Sequence, residues 1–234
     1  LGHCDTVWPA GAVSKRPLRE EEGRLYGPGV YDMKAGLCIV LATARFLQES
    51  GVARKRKLQI FIAADEESGG DTGHPCMDEV LSPGSTVFVV EPPCPDGSVK
   101  VQRKGVGIYE LKITGREAHA GVEPERGVSA VDELARLVLE IHGWNDPARG
   151  IQLNVGTVSG GTAGNVVAGS AVAGVDLRFD SPADGEEMDR KLRELCPGNP
   201  GAAIEVSGGL CFPPLVPTRE TMSLGERACR LAAE

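Results

Sequence analysis

Apolar positions follow two regimes along the chain. In the first, Leu37, Val40, Leu41, Ala44 and Leu47 recur at three- and four-residue spacing after Ala35, which predicts a helix that Gly51 stops. Short apolar runs surround it. Leu1-Gly2-His3 reads as the end of a strand, and Leu58–Ala64 and Thr86–Val90 read as buried strands of an α/β sheet. Residues 8–30 are broken by Pro, Gly and charge and read as a long loop with a short hairpin around Glu22-Gly23. The basic stretch 53–57 reads as a solvated turn ahead of a strand.

After residue 104 the pattern changes. Val106–Thr114 reads as a strand, and Val128, Val131, Leu134, Ala135, Val138 and Ile141 form a helical stripe. Ile151–Val158 and Ala171–Arg178 are strands. Met188, Leu192 and Leu195 mark a second helix stopped by Pro197-Gly198, and Ala203–Ser207 is a last strand. The order β-α-β-β-α-β is that of ferredoxin-like domains. The expected fold class is therefore α/β: a mixed sheet with flanking helices built from 1–104 and 213–234, into which an α+β ferredoxin-like domain is inserted at 105–212. Residues 218–234 read as a helix returning to the first domain.

Composition narrows the partners. A net charge of −8 argues against nucleic acid, and aromatics at 4% are too few for base-stacking platforms. No apolar run reaches the ~18 residues that a membrane helix needs. The seven cysteines are odd in number with no C-x-x-C pair, which excludes a zinc ribbon and points to reduced thiols in a cytoplasmic setting. The start at Leu1 and the helical pattern still running at Glu234 read as a piece of a longer chain.

The chemistry sits where apolar runs stop. His3 and Asp5 follow the first strand, Asp65, Glu66 and Glu67 follow Leu58–Ala64, Glu91 follows Val87–Val90, and Asp32 lies in a Gly-rich turn before a helix. Open α/β sheets bind ligands beyond the carboxyl ends of their strands. One imidazole and several carboxylates converging there call for a cation, and mixed N/O donors suit zinc, with manganese or cobalt as alternatives. Positions i and i+2 of an extended chain share a face, so Asp5 can accept from one ring nitrogen of His3 while the other binds metal. Adjacent Glu66 and Glu67 suit a division between ligand and general base.

These motifs resemble those of the dizinc metallopeptidases related to glutamate carboxypeptidase, acetylornithine deacetylase and succinyl-diaminopimelate desuccinylase. Gly2-His3-Cys4-Asp5-Thr6-Val7 is similar to their G-H-x-D-T-V. Gly27-Pro28-Gly29 with Asp32-Met33-Lys34-Ala35-Gly36 resembles their G-x-G-x-x-D-x-K-x-G, and Asp65-Glu66-Glu67-Ser68-Gly69 their D-E-E-x-G. Val90-Glu91-Pro92 and the lid segment Gly115–Gly121 follow in the family's order. The resemblance implies that Asp32 bridges two metal ions, His3 and Glu91 complete one site, and Glu67 helps hold the second. It implies Glu66 as general base and Asp5 as the partner that orients His3. It further implies that His119 reaches across a homodimer, formed through the lid domain, to polarise the substrate carbonyl. Asn165 and Arg178 would hold the substrate carboxylate, with an ion pair to Asp176 or Asp180 as the alternative for Arg178. The second site needs one more His, expected in a Gly-rich stretch beyond Glu234, without which the chain alone is expected to be inactive.

The resulting expectation is zinc-dependent hydrolysis of an amide that releases a C-terminal, glutamate-like amino acid from a small peptide or N-acyl substrate. Two readings compete: an N-acyl-amino-acid deacylase of the acetylornithine or succinyl-diaminopimelate type, and a non-catalytic binding or assembly module with a decayed metal site.

Overall fold

The structure, a computed structural model, describes residues 1–51, 57–82 and 84–234. Residues 53–56 of the basic stretch lie outside the described residues. The chain divides into two compact units, Leu1–Ser98 and Val99–Glu234.

In the first unit, β1 (Gly2–His3) is followed by a single helical turn, α1 (Ala12–Lys15), and the hairpin β2 (Arg19–Glu21)–β3 (Arg24–Tyr26). The hairpin turns at Glu22 and Gly23, both at positive φ, as a tight two-residue connection requires. Helix α2 (Ala35–Glu49) matches the predicted periodicity. β4 (Ile62–Ala63) pairs parallel with β1, and α3 (Gly73–Val80) follows. Two predicted strands are shorter than expected. Of Leu58–Ala64 only Ile62–Ala63 is in a ladder, paired with Gly2–His3. Thr86–Val90 forms no assigned strand. It is held beside the start of the chain by Leu1 N–H to Phe88 O at 2.8 Å and Val90 N–H to Leu1 O at 3.2 Å. Apolar character marks a segment as strand-like, but a ladder also needs a partner of matching length.

The second unit contains β5 (Gly105–Thr114), α4 (Ala130–His142), β6 (Gln152–Gly160), β7 (Ser170–Phe179), α5 (Pro182–Arg193), β8 (Ala203–Phe212) and α6 (Arg219–Ala233). The sheet order is β6-β7-β5-β8 with every neighbour antiparallel, the ferredoxin-like arrangement. Strict alternation places Tyr109, Leu111 and Ile113 of β5 and Val175, Leu177 and Phe179 of β7 in the core. Leu134, Leu137 and Ile141 of α4 and Met188 and Leu192 of α5 complete it. Both helices start on a serine whose side chain accepts a backbone N–H one turn on: Ser129 from Asp132 at 3.1 Å and Ser181 from Asp184 at 3.2 Å. Buried Glu133 pins the loop after α5, accepting from the backbone of Gly198 and Asn199 and from Arg136. The compact units meet at 98/99, and 213–234 groups with the second unit, where Gly225 of α6 lies against Val101 and Arg103 pairs with Leu215.

Candidate metal centre and lid residues

His3 ends the short β1 strand and is 2% exposed, with its backbone N–H directed at the sulfur of buried Met33 at 3.1 Å. Its ring is ringed by carboxylates. Nδ1 faces Asp5 Oδ1 at 3.2 Å, while Nε2 lies 3.2 Å from Asp32 Oδ1, 3.1 Å from Glu91 Oε1 and 3.9 Å from Glu66 Oε2. The two ring nitrogens thus divide as the i, i+2 spacing predicts: one toward Asp5, the other toward the cluster.

Glycine brings the separate segments together. The Asp32 loop begins at Gly29, whose φ of 69° is left-handed and whose missing side chain leaves room for Lys34 Nζ and Thr6. The Asp32–Met33 peptide is cis. A Cβ on Gly36 would sit 2.0 Å from the carbonyl oxygen of Val90, so only glycine lets the first turn of α2 press against the residue preceding Glu91. That approach places Asp32 beside Glu91, although 59 positions separate them in the chain.

The turn after β4 carries three carboxylates with three fates. Asp65 caps the start of α3, accepting from Thr72 N–H at 2.7 Å and Gly73 N–H at 3.1 Å; these bonds hold its pKa below the usual range. Glu66 reaches toward His3 Nε2. Glu67 donates its backbone N–H to Asp5 Oδ2 at 2.9 Å.

Electrostatics report the crowding. Burial, then the charge and hydrogen bond of Asp32, push Glu91 up, and burial followed by Asp32 and Glu66 pushes Glu67 up. For His3, burial pulls the pKa down, but Glu91, Glu66, Asp32 and Asp5 together outweigh it and the net shift is upward. These carboxylates thus favour the charged imidazolium over the neutral ring, and a dication would satisfy them more fully. Ligand atoms of His3, Asp32 and Glu91 lie within 4.8 Å of one another, one nitrogen and two carboxylate oxygens, a donor set that fits zinc. Glu67 stands outside this trio among the described residues, near enough to Asp32 and Glu66 for their charge to shift it.

Three other predicted residues lie in the second unit. His119 follows a loop off β5, its Nδ1 accepting from Gly121 N–H at 3.1 Å. The residue after it, Ala120, donates to the Asn165 carbonyl at 2.9 Å, and His119 bridges Val166, so His119 and Asn165 are brought side by side by backbone pairing. An open cavity of about 780 Å³, lined by Ser129, Asp132, Gly160, Gly164 and Val166 among others, adjoins that loop. Arg178 sits apart on the open face of β7, 43% exposed, in a bidentate pair with Asp176 at 2.7 and 2.8 Å. The alternative of an ion pair with Asp176 is what the structure shows for its resting contact.

Sequence reasoning passed over Met33 and the bond from Glu67 to Asp5. The first had a signal, a lone apolar residue between Asp32 and Lys34; the second had none, because a backbone donor leaves no trace in residue type.

Residues 101–200 match the peptidase dimerisation domain of the M20 group. Carboxypeptidase G2 from a Pseudomonas species is 31% identical over 196 residues, covering 83% of this chain and 46% of that protein. Succinyl-diaminopimelate desuccinylase from Methylorubrum populi is 28% identical, covering 88% of this chain and 58% of that one. The chain thus spans about half the length of these relatives. Among solved structures, a tripeptidase from Staphylococcus aureus superposes with a TM-score of 0.80 at 22% identity, over 99% of this chain and 63% of that one. Aminopeptidase PepT from Bacillus cereus does so with 0.75 at 21%, with the same coverage, and both likenesses establish the fold. Residues 101–200 are thus a peptidase dimerisation domain of the M20 group, and the chain is a homologue of carboxypeptidase G2 and the succinyl-diaminopimelate desuccinylases.

Proposed function

We propose that this chain supplies the metal-binding segments and the lid of an amide hydrolase that releases a C-terminal, glutamate-like amino acid from a small peptide or N-acyl substrate. The observation that carries the reading is the convergence of His3, Asp32 and Glu91 within 4.8 Å, with Glu66 beside them. His3, Asp32 and Glu91 would hold one zinc ion, and Asp32 with Glu67 would contribute to a second; cobalt or manganese fits the same donors. A bound dication supplies Lewis acidity, polarising the amide carbonyl and lowering the pKa of water. Asp5 holds the His3 ring so that Nε2 faces the cluster. Glu66 takes a proton from the attacking water and returns it to the leaving amine nitrogen. His119 would polarise the carbonyl, and Asn165 and the Arg178 guanidinium would hold the substrate carboxylate, the latter after exchanging Asp176 for it.

The matched dimerisation domain supports a homodimer. β6 is an edge strand with Val158 63% exposed on it, so an unpaired ladder carries an exposed apolar side chain. Retention of Glu66 beside the trio weighs against a non-catalytic module, which has no use for a base there. All seven cysteines are free, in keeping with a reducing, cytoplasmic setting, and no helix among the described residues is long and apolar enough to cross a membrane.

The desuccinylase relatives support a second reading, deacylation of an N-acyl amino acid. Assaying the full reading frame with added zinc on an N-acyl-glutamate, on N-succinyl-diaminopimelate and on N-acetylornithine separates the two. Turnover of the first alone supports the carboxypeptidase reading, and turnover of either of the others alone moves the assignment to the deacylases. No zinc binding and no hydrolysis would overturn both.

A further inference from the structure

Both carboxylate oxygens of Asp5 are engaged, and by different segments. Oδ1 faces His3 Nδ1 at 3.2 Å, and Oδ2 accepts the Glu67 backbone N–H at 2.9 Å, from a side chain 19% exposed. We infer that Asp5 is a positioning residue for the Glu66–Glu67 turn as well as for the imidazole, so that one carboxylate sets where the proposed base stands relative to His3.

The turn has its own internal bonds: Ser68 N–H to Asp65 O, Gly69 N–H to Glu66 O and Gly70 N–H to Asp65 O. Asp65 ties it forward to α3 through Thr72 and Gly73. These bonds make the turn rigid but do not aim it at His3. Among the described residues, the hydrogen bond that joins it to the His3 segment beyond the two-residue β1–β4 ladder is the one from Glu67 to Asp5, with the Glu66 carboxylate 3.9 Å from His3 Nε2 as a longer approach. A backbone N–H at the head of a turn has no partner inside that turn, and a carboxylate is the strongest acceptor it can find. Glu66 precedes that anchored amide directly, so a shift of the amide moves the Glu66 carboxylate with it. Near neutral pH an aspartate has two acceptor oxygens for two donors. Asparagine has one, and alanine none.

The functional half of this inference rests on Glu66 acting as the base, whereas its geometric half does not. Backbone amide hydrogen exchange, resolved by NMR, tests the geometry without any substrate. In the unmodified chain the Glu67 amide should exchange about tenfold or more slowly than an open amide of the same sequence context. Asp5→Ala should remove that protection, and His3→Gln should leave it in place. An unprotected Glu67 amide in the unmodified chain, or unchanged protection in Asp5→Ala, overturns the proposal; the first measurement stands even where a variant fails to fold. Turnover of the full reading frame then tests the functional half: Asp5→Ala should lower kcat about a hundredfold with a smaller change in KM. Full kcat in a variant whose Glu67 amide has lost protection overturns the positioning role while leaving the proposed activity intact. Predicted protection in a protein without hydrolysis leaves the anchor standing and removes the activity reading.

Discussion

The two units of this chain divide chemistry from packing. In Val99–Glu234, a four-stranded sheet with strands of nine and ten residues carries sixteen buried residues in one core, and Glu133 is its one buried charged group among the described residues. In Leu1–Ser98, paired strands run two or three residues, and the two most deeply buried large side chains are Met33 and His3. There the carboxylates outnumber the cations around one buried imidazole. A fold held by apolar burial tolerates many sequences of the right period and volume. A cluster of like charges is held only by geometry and counter-charge, so its residues cannot be exchanged without loss. The second unit thus stands on many small, replaceable terms, the first on a few that cannot be replaced.

That contrast can be broken or sharpened in order of effect. The largest expected effect is at Glu66. In the full reading frame, Glu66→Ala should lower kcat by about 10²- to 10⁴-fold, the range of general base catalysis, while zinc binding measured by calorimetry is retained. Loss of zinc with the activity would exchange the roles of Glu66 and Glu67. Next is the packed unit. Leu177→Ala, at a side chain with no exposure, should cost roughly 2–5 kcal/mol in chemical denaturation. A loss under ~1 kcal/mol would show that the sheet does not depend on this core.

The smallest is a charge inside the packed unit. Burial by itself would raise the Glu133 pKa, but the backbone N–H groups of Gly198 and Asn199 and the Arg136 guanidinium outweigh it and hold the carboxyl below its usual range. Its contribution to stability is therefore complete above the ordinary glutamate value of about 4.3 and drains away as pH falls through the lower folded value. Glu133→Gln should destabilise by about 1–3 kcal/mol at pH 7, and the gap from the unmodified protein should close on acidification. A gap that is constant with pH would mean that shape rather than charge pins the loop after α5.

Legibility differed between the units in the same way. Helix α4, the alternating strands β5 and β7 and the ferredoxin-like order could be read directly, because each follows a period of 3.6 or 2 over ten or more residues. The strand at Thr86–Val90 could not, because apolar content says nothing about the length of the partner. The candidate ligands were legible as residue types in the right order. Their separation into a trio of His3, Asp32 and Glu91, a Glu66 that approaches His3, and an Asp65 that caps a helix was not.

From the sequence alone came the fold class, the ferredoxin-like α+β unit, and which side chains could hold a cation, since periodicity and ligand chemistry are properties of residue types and their spacing. The tertiary structure decided which of those side chains meet: Gly36 against the Val90 carbonyl, Arg178 on Asp176, and Asp5 holding two segments at once. Contacts of this kind join backbone to side chain across tens of residues. They depend on ångström-scale approach in space, which no pattern along the chain encodes.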